Sequence, residues 1–126
     1  MKRKFSTFWK SSKQVRKQRK YNYNAPLHRR SKFMNAHLSK ELMKKYQKRS
    51  TQLRKGDKVK IMRGQFKSKI GKVERVDIKK QLIIITGIEI VKKDGSKTFY
   101  RIHPSNVQIT ELYMDDKKRK KKLGVK

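Results

Sequence analysis

The stretch Arg54–Asp77, RKGDKVKIMRGQFKSKIGKVERVD, narrows the possible folds more than any other part of the chain. Val59 and Ile61 alternate with Lys58 and Lys60, the period of a strand with one buried face. Val73, Val76 and Ile78 belong to a second strand. The step from Val73 to Val76 slips that period by one residue and predicts a bulge near Glu74–Arg75. Between the strands lies a loop, Arg63–Gly71, in which Gly64 and Gly71 frame Lys67 and Lys69. Glycine lets backbone approach backbone closely, and lysines on such a loop put point charges and free amides where phosphates can sit.

The pattern continues downstream. Leu82-Ile83-Ile84-Ile85 has the length of a strand buried on both faces and is too short for a buried helix. Gly87 predicts a bend, after which Ile88 and Ile90 alternate around Glu89. Asp94-Gly95 is a hairpin signal, and Thr98, Tyr100 and Ile102 share a face of the returning strand. His103-Pro104-Ser105-Asn106 predicts a turn of 3₁₀ type before a last strand through Val107 and Ile109. Five short strands make the expected fold mainly β, a small SH3-like barrel over 50–113. Its expected core is Ile61, Val73, Val76, Ile83, Ile85, Ile90, Ile102 and Val107.

Charge constrains the partner. Lys and Arg total 39 against 9 acids, a formal net charge of +30. Self-repulsion of that size works against compactness until a polyanion neutralises it, and nucleic acid gains affinity from each cation that reaches a phosphate. No apolar run approaches the roughly 20 residues of a membrane span, and the basic N-terminus lacks the apolar segment of a secretory leader. The absence of cysteine excludes disulfides and thiolate metal sites. His28, His37 and His103 stand far apart, and the acids are scattered. No catalytic constellation, metal site, cofactor or small-molecule substrate is expected, and the chain reads as a non-enzyme.

Residues 1–49 carry 17 Lys and Arg and a single acid, Glu41. Too few apolar residues occur there in any period to build a core, yet Phe5, Phe8, Trp9, Tyr21, Tyr23 and Phe33 interleave with the cations. Aromatics stack on unpaired bases while Lys and Arg bind the backbone, so this stretch is expected to be an arm that orders on RNA. A short helix is expected over Ser11–Lys20, capped by Ser11 or Ser12 and ended by Asn24-Ala25-Pro26; a second begins near Pro26. Ser39–Arg49 reads as a third, with Ser39 as cap, Lys48-Arg49 at its end, and Leu42, Met43 and Tyr46 as its docking stripe. Residues 114–126 read as a basic, disordered tail.

The candidate RNA contacts form three groups. Arg16, Lys17, Arg19 and Lys20 bind phosphate from the first helix. His28, Arg29, Arg30 and Lys32 follow, with Tyr21 and Tyr23 as stacking candidates. Arg63, Lys67, Lys69 and Lys72 surround the loop. For any one lysine the competing reading is a solvated charge.

Gly56-Asp57-Lys58-Val59, Arg63-Gly64 and Gly71-Lys72-Val73 resemble a KOW motif, found in ribosomal proteins and transcription elongation factors. Such motifs usually carry a glycine where this chain has Ser68. Arg16–Lys20, Tyr23–Arg30 and Leu38–Leu42 are similar to the N-terminal extension of one KOW family, the large-subunit ribosomal protein numbered twenty-four (twenty-six in eukaryotes). The extension marks the archaeal and eukaryotic branch, and the run Phe99–Val107 looks archaeal. The resemblance implies a structural rRNA-binding protein of the large ribosomal subunit, cytoplasmic, supporting rRNA folding and assembly near the nascent-chain exit. Its implied partners are large-subunit rRNA and neighbouring ribosomal proteins. The alternative is a KOW module of a transcription elongation factor, which would have no use for 17 basic residues ahead of the barrel.

Overall fold

A computed structural model describes residues 5, 6, 8, 9 and 11–124; the parts of the arm and tail at 1–4, 7, 10, 125 and 126 lie outside the described residues. In chain order the elements are α1 (Val15–Asn24), α2 (Leu27–Phe33), β1 (Asn35–Leu38), α3 (Lys40–Tyr46), β2 (Ser50–Gln52), β3 (Lys58–Ile61), β4 (Ile70–Asp77), β5 (Leu82–Val91), β6 (Lys97–Ile102), a 3₁₀ turn (Pro104–Asn106), β7 (Val107–Glu111) and α4 (Lys117–Leu123). The protein is mainly β. Its strands form one sheet in the order β2-β1-β7-β3-β4-β5-β6, with no pairing among the described residues that joins β2 to β6.

The meander β3-β4-β5-β6 follows the expected alternation. Register slips between Val73 and Arg75, at the predicted bulge. Gly71 is required by close approach: a Cβ there would lie 2.5 Å from Ile85 Cγ2 and 2.7 Å from the Thr86 carbonyl oxygen. Ile61, Val73, Ile83, Ile85, Ile102 and Val107 are buried, and Val76 packs half-buried against them. Ile90 is a correction. It is exposed, and Ile88 takes the core position. Pairing is irregular between Ile84 and Glu89, past Gly87, and beyond Ile88 the β5–β6 hairpin runs off the packed sheet with both faces open.

β1 and β2 go beyond the five expected strands. β1 lies parallel to β7 and antiparallel to β2. Met34, Ala36 and Leu38 enter the core with Leu53, Val59, Phe66 and Ile109. Met34 and Leu38 are fully buried, and each such side chain contributes about 1.5–3 kcal/mol. The coreless stretch therefore stops at Phe33; from Met34 on, Met34, Ala36 and Leu38 alternate inward with Asn35 and His37 outward, a period carried over only four strand residues. Ser39 caps α3 as expected, accepting from the Leu42 amide at 3.4 Å, and Leu42 and Met43 dock on the core. The helix ends at Tyr46, with Gln47 left-handed, so Lys48 and Arg49 lie beyond it.

α1 starts later than expected. Gln14 is its cap residue, and Ser12 Oγ accepts from the Gln14 amide at 3.2 Å in a turn ahead of the helix. α2 begins directly after Pro26. Where a disordered tail was expected, Asp116 caps α4 through the Lys118 amide at 2.8 Å, and Gly124 closes it in the left-handed region.

Candidate nucleic-acid interface

The loop between β3 and β4 is held from within. The Ser68 amide donates to the Ile61 carbonyl at 2.8 Å, and the Ile61 amide to the Lys69 carbonyl at 2.9 Å. Phe66 is turned into the core, its ring 5.1 Å from that of Tyr100, with Lys69 Nζ 5.2 Å above its centroid. With the one apolar side chain of the tip buried, Arg63, Lys67, Lys69 and Lys72 are all exposed around it. Ser68 occupies the position usually held by glycine, and its φ is +71°, so the tip keeps a left-handed turn without the residue that adopts it at least cost.

α1 buries nothing. Arg16, Arg19, Lys20 and Tyr23 recur at helical spacing on one face, and Lys17 stands to its side. Among the described residues none of these four cations makes a side-chain hydrogen bond or ion pair to protein. Tyr23 is 80 % exposed. Tyr21 behaves differently. Its ring stacks on Trp9 at 4.3 Å and meets Phe5 at 4.9 Å and Phe33 at 6.2 Å, a small aromatic knot that folds the leading segment against α1 and α2.

In the second group His28 and Lys32 are exposed and Arg29 is half-buried. Arg30 is engaged by protein. Its Nε donates to the Ala25 carbonyl at 2.9 Å, Nη1 to the Lys79 carbonyl at 3.1 Å, and Nη2 to the Tyr23 carbonyl. It ties the end of α1 and the start of α2 to the β4–β5 turn.

A buried ion pair was not legible in the sequence. Asp57, within the motif, is fully buried and receives the Arg119 guanidinium in a two-pronged contact, 2.6 Å to Oδ1 and 2.7 Å to Oδ2. The Arg54 and Tyr113 amides donate to the same carboxylate, each at 2.9 Å. Arg119 also donates to the carbonyls of Tyr113 at 2.8 Å and Gln52 at 3.1 Å. α4 is thereby fixed beside the start of β3, while the basic loop leaves its other end. Arg54 pairs with Asp116 on the surface, and the Lys118 amide, ahead of Arg54, holds the Asp116 carboxyl below its ordinary value. No cluster of three or more His, Asp or Glu suited to a metal ion occurs among the described residues, and no helix among them is long and apolar enough to cross a membrane.

Residues 12–126 match the family model that describes the ribosomal proteins L26 of eukaryotes and their archaeal counterparts, numbered twenty-four. The large ribosomal subunit protein uL24 of Methanosphaera stadtmanae is 49 % identical over 115 residues, which cover 91 % of this chain and 98 % of that one. The uL24 protein of Methanothrix thermoacetophila is 52 % identical over 110 residues, covering 87 % of this chain and 95 % of its own. With residues 12–126 matched by the family model and about half the positions identical over nearly the whole length of both relatives, the chain belongs to the ribosomal protein family that comprises L26 of eukaryotes and its archaeal counterpart numbered twenty-four.

Proposed function

We propose that this protein is a structural constituent of the large ribosomal subunit that binds rRNA through three cationic surfaces and supports its folding and assembly near the nascent-chain exit. It catalyses nothing, and its place is the ribosome in the cytoplasm. The reading is carried by the match to uL24 over 98 % of that relative's length. The exposed, unpaired cations of α1 and of the motif loop support it, because a charge of +30 without internal partners calls for an external polyanion.

Within this reading, Arg16, Lys17, Arg19 and Lys20 bind phosphates, as do Arg29, Lys32, Arg63, Lys67, Lys69 and Lys72. Tyr23 and His28 stack on or hydrogen-bond to bases or riboses. Arg30 and Tyr21 shape the arm from inside. Residues 1–49 are the RNA-binding extension and 114–126 a basic appendage, with β3–β7 as an SH3-like barrel in which β7 returns beside β3. Neighbouring ribosomal proteins complete the surroundings. The transcription-elongation reading has no support in these two relatives, which are large-subunit ribosomal proteins matched over nearly all of the chain.

Two measurements test this. In a sedimented native lysate washed at moderate salt, the protein runs with large subunits; recovery with RNA polymerase overturns the reading. Replacing Arg16, Lys17, Arg19 and Lys20 with Ala reduces the salt-dependence slope of rRNA binding by about 3 units, and an unchanged slope removes α1 from the interface.

A further inference from the structure

Tyr113 is held in place more firmly than an exposed residue needs to be. Its amide donates to Asp57 Oδ1 at 2.9 Å, and its carbonyl accepts from Arg119 at 2.8 Å, so both sides of its backbone are bonded to the buried ion pair. Its ring lies against Gly56, whose φ is +97°; a Cβ there would come within 3.0 Å of the ring's Cγ. The neighbouring Asp115 carboxylate, which favours the protonated hydroxyl, raises the pKa of Tyr113 from the ordinary 10. Yet the residue is 47 % exposed. Phe8, Tyr23 and Phe99 are more exposed, but none of them is bonded through its backbone to a buried pair.

The surroundings are concave and mixed in charge. A cleft of about 450 Å³ beside the ring is lined by Lys55, Lys72, Glu74 and Thr86. A second of about 410 Å³ is lined by Lys58, Lys72 and Glu111, of which Lys58 is paired with Glu111 at 2.8 Å, so Lys55 and Lys72 are the cations left without a carboxylate among the described residues. These volumes fall in the range that accepts one small planar group with its polar contacts.

We propose that Tyr113 is a preorganised stacking platform for one unpaired RNA base, with Lys55 and Lys72 receiving the flanking phosphates. This rests on the rRNA-binding reading above and extends its loop surface, through Lys72, to Lys55 and Tyr113. Glu74, a bare acceptor in the same cleft, selects a base edge carrying an amino group. The motif residues Gly56 and Asp57 then act together: one makes room for the ring, and the other fixes the backbone that carries it.

The test uses the full chain and transcribed large-subunit rRNA. Tyr113→Phe binds as the parent does. Tyr113→Leu binds about 10- to 100-fold more weakly with an unchanged salt slope, because a stacking contact releases no counterions. Equal affinity of the two variants overturns the proposal. Irradiation of native large subunits with ultraviolet light supplies an independent arm that needs no variant. A nucleotide adduct on the peptide containing Tyr113 supports the proposal; adducts confined to α1 peptides, or a cross-link from Tyr113 to another protein, overturn it. Failure of the parent chain to bind rRNA at all counts instead against the broader functional reading.

Discussion

α1 and α4 are both short basic helices, one near each end of the chain, and charge alone predicts the same behaviour for both. They differ in what they turn inward. α4 sends Arg119 and Leu123, one turn apart, to positions only 4 % and 5 % exposed, whereas α1 has no buried residue in its ten. α4 has a bonded N-cap and a glycine C-cap; α1 has no side-chain cap. Five lysines on seven residues repel one another, and the helix forms because Asp57 waits in the core for a guanidinium. Charge content therefore says little about order in such a chain. One inward arginine with a buried carboxylate decides it.

The largest test of this contrast removes the arginine. Arg119→Ala leaves the Asp57 carboxylate buried without its counter-ion, and urea unfolding then shows a loss of about 3–5 kcal/mol. α4 amides lose their protection against hydrogen exchange in the same variant, while α1 amides do not change. A loss below about 1 kcal/mol would mean that α4 is held no better than α1.

The next test locates the inner boundary of the arm. Leu38→Ala costs about 2–5 kcal/mol, as expected for a fully buried leucine. Val15→Ala in α1, where the side chain is 59 % exposed, changes stability by less than about 0.5 kcal/mol. Similar values for the two would erase the distinction between leader and sheet.

The smallest effect is set by pH. The Lys118 amide, and to a lesser degree Arg54, hold the Asp116 carboxyl below its ordinary 3.8. A carboxyl lowered on folding stabilises the fold above its unfolded value and loses that contribution as pH falls through the folded one. Acidification below 3.8 therefore frays the first turn of α4, read as faster exchange of the Lys118 amide. α1 has no acid in its first turn and shows no such step.

How much of this could be read from residues alone follows the range of the interactions. Val59 and Ile61, the Val73–Arg75 bulge, the Asp94-Gly95 turn and the Ser39 cap depend on neighbours in sequence, and the structure places them where the pattern does. Ile90 escapes the pattern because alternation continues past Gly87 while the sheet that would cover it does not. β1 leaves only a faint signal, an alternation through Met34, Ala36 and Leu38 that is short and set among cations. α4 is framed by Asp116 and Gly124, but nothing in KKRKKKL marks the one basic residue whose counter-ion lies 62 positions earlier. Among the candidate contacts, the exposure of the loop cations was legible because a tight loop has nowhere to bury them. Arg30 and Tyr21 could not be told from their neighbours, since only packing shows that both face protein.

The parallel pairing of β1 with β7 has a consequence for the order of events in synthesis. Gln108 reaches back across 70 residues to the Leu38 carbonyl, so the strand beside the arm has no parallel partner until almost the whole polypeptide exists. Closing so long a loop before its contacts reward it is slow. The strand that follows the basic segment thus pairs with β2 early and gains its second neighbour only once β7 has been made.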